Sequence, residues 1–120
     1  MAQTFNGKPG DLIEIRRWGY KHWAVYIGEN EVVHLVRDGG RLLSAKAEVK
    51  REELTNVASI HHLQVNNLLD ERYEARDPSV IVKEACEMVG KVLTYGVVTN
   101  NSKDFAIDLR YSKATSLQIN

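Results

Sequence analysis

The stretch His22-Trp23-Ala24-Val25-Tyr26-Ile27, then Gly28-Glu29-Asn30-Glu31, then Val32-Val33-His34-Leu35-Val36, decides how the chain is arranged. Two runs rich in β-branched and aromatic residues flank a short segment containing Gly and Asn, which is the composition of a β-hairpin. With a turn centred near Glu29 and Asn30, opposite residues have numbers summing to about 58 or 60. His22 and His34 fall within the offset of a bulge or of a diagonal neighbour, so two imidazoles can share one sheet face. Spacing alone fits two satisfied, partly buried histidines at least as well, and that plainer alternative stays open.

Upstream, Lys8-Pro9-Gly10 is turn chemistry, and it opens into residues 11–16, whose largely alternating apolar and charged side chains predict a half-buried strand. Downstream, Asp38-Gly39-Gly40 breaks the pattern. Residues 45–49 and 60–65 are expected as further strands flanking a polar segment at 50–56. His61 and His62 are adjacent, point to opposite faces of any strand, and read as surface residues.

After Asp77-Pro78-Ser79, the residues Val80, Ile81, Ala85, Met88 and Val89 recur at helical spacing and Gly90 closes the run. Ser79 or Asp77 can cap that helix, with Pro78 in its first turn. A second helix is expected from about Asn101 or Ser102, with Phe105, Ala106 and Leu109 on one face. Strands first and helices late predict an α+β domain, an antiparallel β-sheet packed with helices, over residues 1–120 as one domain.

Composition narrows the function classes. Hydrophobic residues at 43% and charged residues at 27% suit one soluble core. Sixteen Lys and Arg balance sixteen Asp and Glu, which argues against broad electrostatic capture of nucleic acid. Cys86 is the single cysteine, so no intrachain disulfide can form and a reducing, cytoplasmic setting is expected. Residues 1–10 lack an apolar signal core, and no apolar run approaches the roughly 18 residues of a membrane span. No cluster of His, Cys and carboxylates has ligand spacing, so neither metal nor cofactor is expected.

Gly10-Asp11-Leu12-Ile13-Glu14-Ile15, Tyr20-Lys21-His22-Trp23-Ala24-Val25-Tyr26-Ile27-Gly28 and Val32-Val33-His34-Leu35 resemble the opening blocks of the phospholipase A and acyltransferase family related to lecithin retinol acyltransferase. Val49-Lys50-Arg51-Glu52-Glu53-Leu54, Gln64-Val65-Asn66-Asn67, Asp70-Glu71-Arg72-Tyr73, Glu87-Met88-Val89-Gly90 and Leu109-Arg110-Tyr111 follow in the family's order. The likeness covers roughly residues 8 to 112, and an ordered set of blocks is more specific than any single motif.

The resemblance implies a permuted papain-like fold in which the general-base histidine is His22 and the residue orienting it is His34. It also implies a phospholipid substrate or a membrane surface as partner. The family's Asn-Cys-Glu-His-Phe motif, whose cysteine is the nucleophile, matches Asn101-Ser102-Lys103-Asp104-Phe105. Ser102 thus stands where the family has sulfur. A hydroxyl is far harder to ionise than a thiol, so a histidine pair suited to making a thiolate leaves serine poorly activated.

Three explanations of Ser102 remain: a substitution made to inactivate, natural decay, or a working serine. Lys103 and Asp104 also depart from the motif, which points to a divergent lineage, and no Gly-x-Ser-x-Gly elbow is present. Cys86, in a helix with acidic neighbours, does not replace the missing thiol. Trp18 and Tyr20, beside Arg16, Arg17 and Lys21, are the expected membrane contacts, and Lys103 is a weaker one for an anionic head group. Trp23 reads as core.

Family members usually carry a C-terminal hydrophobic anchor, which this sequence does not show. The segment between His34 and Ala45 is shorter than in close vertebrate relatives. Two function classes follow: a lipid-directed thiol acyl enzyme inactive with Ser102, or a non-enzymatic interaction module. The latter is either a cellular pseudoenzyme with a protein partner or a picornavirus 2A protein of the histidine and Asn-Cys type. A cell-wall peptidase of the wider superfamily fits less well.

Overall fold

The computed structural model describes residues 5–37, 46–94 and 101–111. The hairpin forms as its composition predicts, with β2 (Tyr20–Gly28) turning into β3 (Glu31–Arg37). Glu29 and Asn30 both adopt positive φ, 53° and 63°, the backbone that a two-residue hairpin turn needs. Asn tolerates this, whereas Glu does so at a cost. That cost is offset locally, because the Tyr26 hydroxyl accepts the Asn30 N–H and the Asn30 carbonyl accepts the Leu54 N–H.

Around this hairpin lie β1 (Leu12–Arg17), β4 (Lys46–Glu53), β5 (Leu63–Val65) and β6 (Val92–Thr94). The sheet order is β5-β1-β2-β3-β4-β6, and every neighbouring pair is antiparallel. Three helices complete the described fold: α1 (Leu54–Val57), α2 (Pro78–Met88) and α3 (Ser102–Tyr111). The expected α+β arrangement, an antiparallel sheet packed with helices, is therefore what the chain adopts.

Strand alternation divides the apolar residues between two cores. Leu12, Val25, Val33, Leu35 and Val49 face Ile81 and Ala85 of α2 and Phe105, Ala106 and Leu109 of α3. Ile13, Ile15, Ala24, Tyr26 and Val32 face Leu54 of α1, with Phe5, Val57 and Leu63 at the margin. Each large aliphatic side chain so buried stabilises the fold by about 1.5–3 kcal/mol relative to exposure.

Two local expectations need correction. Residues 50–53 belong to β4 rather than to a connecting polar segment, because β3 and β4 pair from Arg37↔Ala47 to Glu31↔Glu53. Charged side chains are tolerated there since Lys50 and Arg51 point into solvent. Residues 60–65 are strand only over Leu63–Val65, because the Ser59 hydroxyl accepts the His61 N–H and bends Ile60–His62 into a 3₁₀ turn. The short strand β6 carries no sequence signal of its own and exists through its pairing with β4. Ala45 and the Asp38-Gly39-Gly40 break lie outside the described residues.

The cap of α2 is Asp77, whose Oδ1 accepts from Ser79 N and Ser79 Oγ at 2.9 and 2.6 Å. The C-terminal end of α3 is tied to the chain start. Arg110 donates from Nε and Nη2 to Asp70 at 3.0 and 2.9 Å, and from Nη1 to the Gly10 carbonyl at 2.8 Å. Tyr111 donates its hydroxyl to Asp70 and accepts the Leu69 N–H. Asn67 accepts the Leu12 N–H and donates to Asp11. These ties hold α3 against the sheet and so set where its first residue, Ser102, sits.

Candidate active site

Three segments distant in sequence meet at one end of the hairpin. His22 lies on β2 and His34 on β3, with Nε2 of His22 2.8 Å from Nδ1 of His34 and the rings edge to face at 76°. The register explains the contact. Val25↔Val33 and Tyr26↔Val32 both sum to 58, with a bulge toward the turn. Continued by one residue, that register sets Ala24 opposite His34 and makes His22 its diagonal neighbour on the same face.

Ser102 is the first residue of α3. Asn101 caps the helix, since its Oδ1 accepts the Asp104 N–H at 2.9 Å while its carbonyl accepts the Phe105 N–H at 3.0 Å. Ser102 therefore sits where unsatisfied N–H groups concentrate positive potential. Its buried hydroxyl accepts the main-chain N–H of Trp23 at 3.2 Å. Trp23 directly follows His22, so the helix start is docked on the strand that carries the first imidazole. Among the described residues, no hydrogen bond joins Ser102 to either histidine ring.

Glu52 is a member of the cluster that the motifs did not mark. Its Oε2 lies 2.7 Å from Nε2 of His34, giving the chain Glu52, His34, His22. The β3–β4 register pairs Val32 with Glu52 and His34 with Lys50, so Glu52 reaches His34 diagonally on one face. Strand alternation could have paired them only if residues 50–53 had been read as strand.

Burial favours the neutral form of both imidazoles. Burial is the main reason the His22 pKa falls to about 3, and the neighbouring His34 and Arg17 charges act in the same direction. Burial also lowers that of His34, opposed by the bond and charge of Glu52 and assisted by Arg17 and Lys50. A neutral imidazole can accept a proton, which a general base requires. Beside Trp23, the buried Glu14 accepts from Asn66 at 2.8 Å and pairs with Lys21 at 3.3 Å. The Asn66 bond outweighs burial and holds the Glu14 pKa below the ordinary carboxylate range.

The other singled-out residues separate by exposure. Trp23 is core at 5% exposed, whereas Trp18 is 97% exposed and Tyr20 62% at the β1–β2 turn. Lys103 is exposed, with Nζ 5.8 Å from the Trp23 ring centroid. His61 and His62 are exposed. Cys86 lies two residues from the end of α2, and the Arg51 guanidinium is 3.9 Å from its sulfur.

A cleft of about 570 Å³ opens between α2, α3 and β6, walled by Leu35, Met88, Leu93, Phe105 and Leu109, and neither histidine nor Ser102 lines it. Among the described residues, no three His, Cys, Asp or Glu side chains converge as metal ligands. No helix among them is long and apolar enough to cross a membrane.

Residues 6–115 match the lecithin retinol acyltransferase family. The chain is 43% identical over 122 residues to phospholipase A and acyltransferase 4 of Homo sapiens, spanning 93% of this chain and 74% of that protein. It is 42% identical over 120 residues to phospholipase A and acyltransferase 2 of Homo sapiens, spanning 92% and 74%. Similarity to phospholipase A and acyltransferase 1 of Homo sapiens is 34% over 124 residues, spanning 96% and 74%. On the extent of these matches, the chain belongs to the lecithin retinol acyltransferase family, alongside the phospholipase A and acyltransferases.

Proposed function

We propose that this chain is a lipid-directed acyl-enzyme domain in which His22, His34 and position 102 form the reacting group, and that Ser102 leaves it inactive toward phospholipid esters. The observation that carries the reading is the docking of Ser102 Oγ on the N–H of Trp23, next to the neutral His22. With cysteine at position 102, His22 would take the thiol proton and the thiolate would attack the ester carbonyl. The carbonyl–oxygen bond to the glycerol would then break, with the proton returned to the departing alkoxide. Water or an amine would take the acyl group from the thioester. Serine stalls the first step, because a hydroxyl is far harder to ionise than a thiol and an imidazole does not take its proton readily.

The β1–β2 turn is the proposed membrane contact. Trp18 and Tyr20 stand exposed between Arg16, Arg17 and Lys21, a pairing of interfacial aromatic rings with cations that suits an anionic bilayer surface. Lys103 adds a cation beside the reacting group.

Fatty-acid release from phosphatidylcholine vesicles tests the reading. The chain as given should be silent, Ser102→Cys should release fatty acid, and adding His22→Ala should abolish that release. A silent Ser102→Cys variant would reject the acyl-enzyme reading. It would favour a non-enzymatic interaction module, which the main-chain bond of the Ser102 hydroxyl and the altered Lys103-Asp104 pair already suit.

A further inference from the structure

Three ring and carboxylate groups in a row, each within hydrogen-bond distance of the next, have their proton positions constrained by chemistry. A carboxylate offers only acceptors, while a neutral imidazole carries one N–H and one bare nitrogen. We infer that Glu52 is a positioning residue whose carboxylate takes the Nε2–H of His34, so that His34 Nδ1 must accept, His22 Nε2 must donate, and the lone pair of His22 is left on Nδ1.

Each link rests on a contact in the structure: Glu52 Oε2 to His34 Nε2 at 2.7 Å, and His34 Nδ1 to His22 Nε2 at 2.8 Å. Burial favours the neutral form of both rings, with Arg17 acting in the same direction on each and Lys50 on His34. In an imidazole, Nδ1 is the ring nitrogen nearer the residue's own main chain. The main chain of the next residue, Trp23, donates its N–H to Ser102 Oγ.

Without the carboxylate, the contact between the rings could form in either direction, since its donor and acceptor roles depend only on the tautomers. His22 would then carry its proton on Nδ1 and could not act as a base there. Glu52 thus decides between two tautomer orders that the histidine pair by itself leaves degenerate. Its place on β4 suits this role. Lys50 and Glu52 alternate on one face, whereas Arg51 turns away to pair with Glu31 at 2.6 Å. The catalytic use of the Nδ1 lone pair rests on the acyl-enzyme reading; the tautomer order does not.

The test is long-range ¹H–¹⁵N correlation of the histidine rings in the folded, ¹⁵N-labelled chain at neutral pH. Both His22 and His34 should show a protonated Nε2 and a bare Nδ1. Glu52→Leu should convert a measurable fraction of both to the reverse order, while Lys50→Leu, which changes charge beside His34 without removing the acceptor, should leave the pattern intact. In a Ser102→Cys background, Glu52→Leu should lower kcat by roughly 10²- to 10⁴-fold. A protonated Nδ1 on His22 in the unaltered chain overturns the inference even if Glu52→Leu fails to fold, and so does an unchanged ring spectrum in a folded Glu52→Leu variant. An inactive Ser102→Cys variant with the expected ring spectrum would reject the acyl-enzyme reading and leave the role of Glu52 standing.

Discussion

The main-chain N–H of Trp23 donates to Ser102 Oγ at 3.2 Å across 79 residues of sequence. This bond docks the start of α3 on β2 beyond the last β2–β3 pair, Val25↔Val33. The N–H would otherwise be a buried donor left open where the ladder ends.

Ser102→Ala should therefore destabilise the fold by about 1–3 kcal/mol, the cost of an unsatisfied buried donor. Ser102→Cys should cost less, because sulfur is a weak but real acceptor. Urea denaturation of the three chains measures both, and equal midpoints would show that the bond is dispensable.

Acidification should destabilise the chain through its histidine pair. An unfolded histidine titrates near 6.5 and folded His22 near 3, so between those values the unfolded chain binds more protons and stability falls as pH falls. The slope from His22 can reach about 1.4 kcal/mol per pH unit, and the lowered pKa of His34 acts in the same direction. Urea midpoints from pH 7 to 4.5 should drop less steeply in His22→Gln. Parallel profiles would contradict a buried, neutral His22.

Gly10 adopts φ of +94°, donates its N–H to the Tyr26 carbonyl and accepts from Arg110 through its own carbonyl. An added Cβ would approach Ile81 Cδ1 at 3.3 Å. Gly10→Ala should cost about 1–3 kcal/mol from strained backbone alone, read as a lowered Tm. The equivalent change at Gly19, also at positive φ but with open space around it, should cost less.

Asp70 anchors Arg110 and Tyr111, and the Arg110 bond is the main reason its pKa lies below the usual carboxylate range, with Tyr111 adding to it. Asp70→Asn should cost about 1–3 kcal/mol, less than for a fully buried pair because Asp70 is half exposed. That loss should shrink when both chains are compared in acid below the folded Asp70 pKa, where the wild-type carboxyl is protonated as well. A loss independent of pH would point to packing rather than charge.

Trp18→Ala should change the unfolding free energy by no more than about 0.5 kcal/mol, since the ring is almost wholly exposed. Together with Arg16→Gln and Arg17→Gln it should abolish co-sedimentation with vesicles containing anionic lipid. Binding unchanged by all three substitutions would remove the β1–β2 turn as the membrane contact.

Much of the architecture was legible because alternation and turn chemistry act locally. The β2–β3 turn, the cap at Asp77 and the buried faces of α2 and α3 depend on residues within one or two turns of each other. β4 was less legible, because its charged outer face looks like a loop until β3 is beside it. The 3₁₀ turn at Ile60–His62 was hidden by a strand-like composition that the Ser59 hydroxyl overrides.

The amino-acid order by itself determined the family, the sheet-then-helix class and the two histidines within reach of one face, since periodicity and motif order are properties of the chain. That Glu52 completes the row through His34, and that the Ser102 hydroxyl is engaged by the N–H of Trp23, follows from three-dimensional packing. Both contacts join strands or helices through pairings made in space, and a hydrogen bond of 3 Å depends on register and docking that no local pattern encodes.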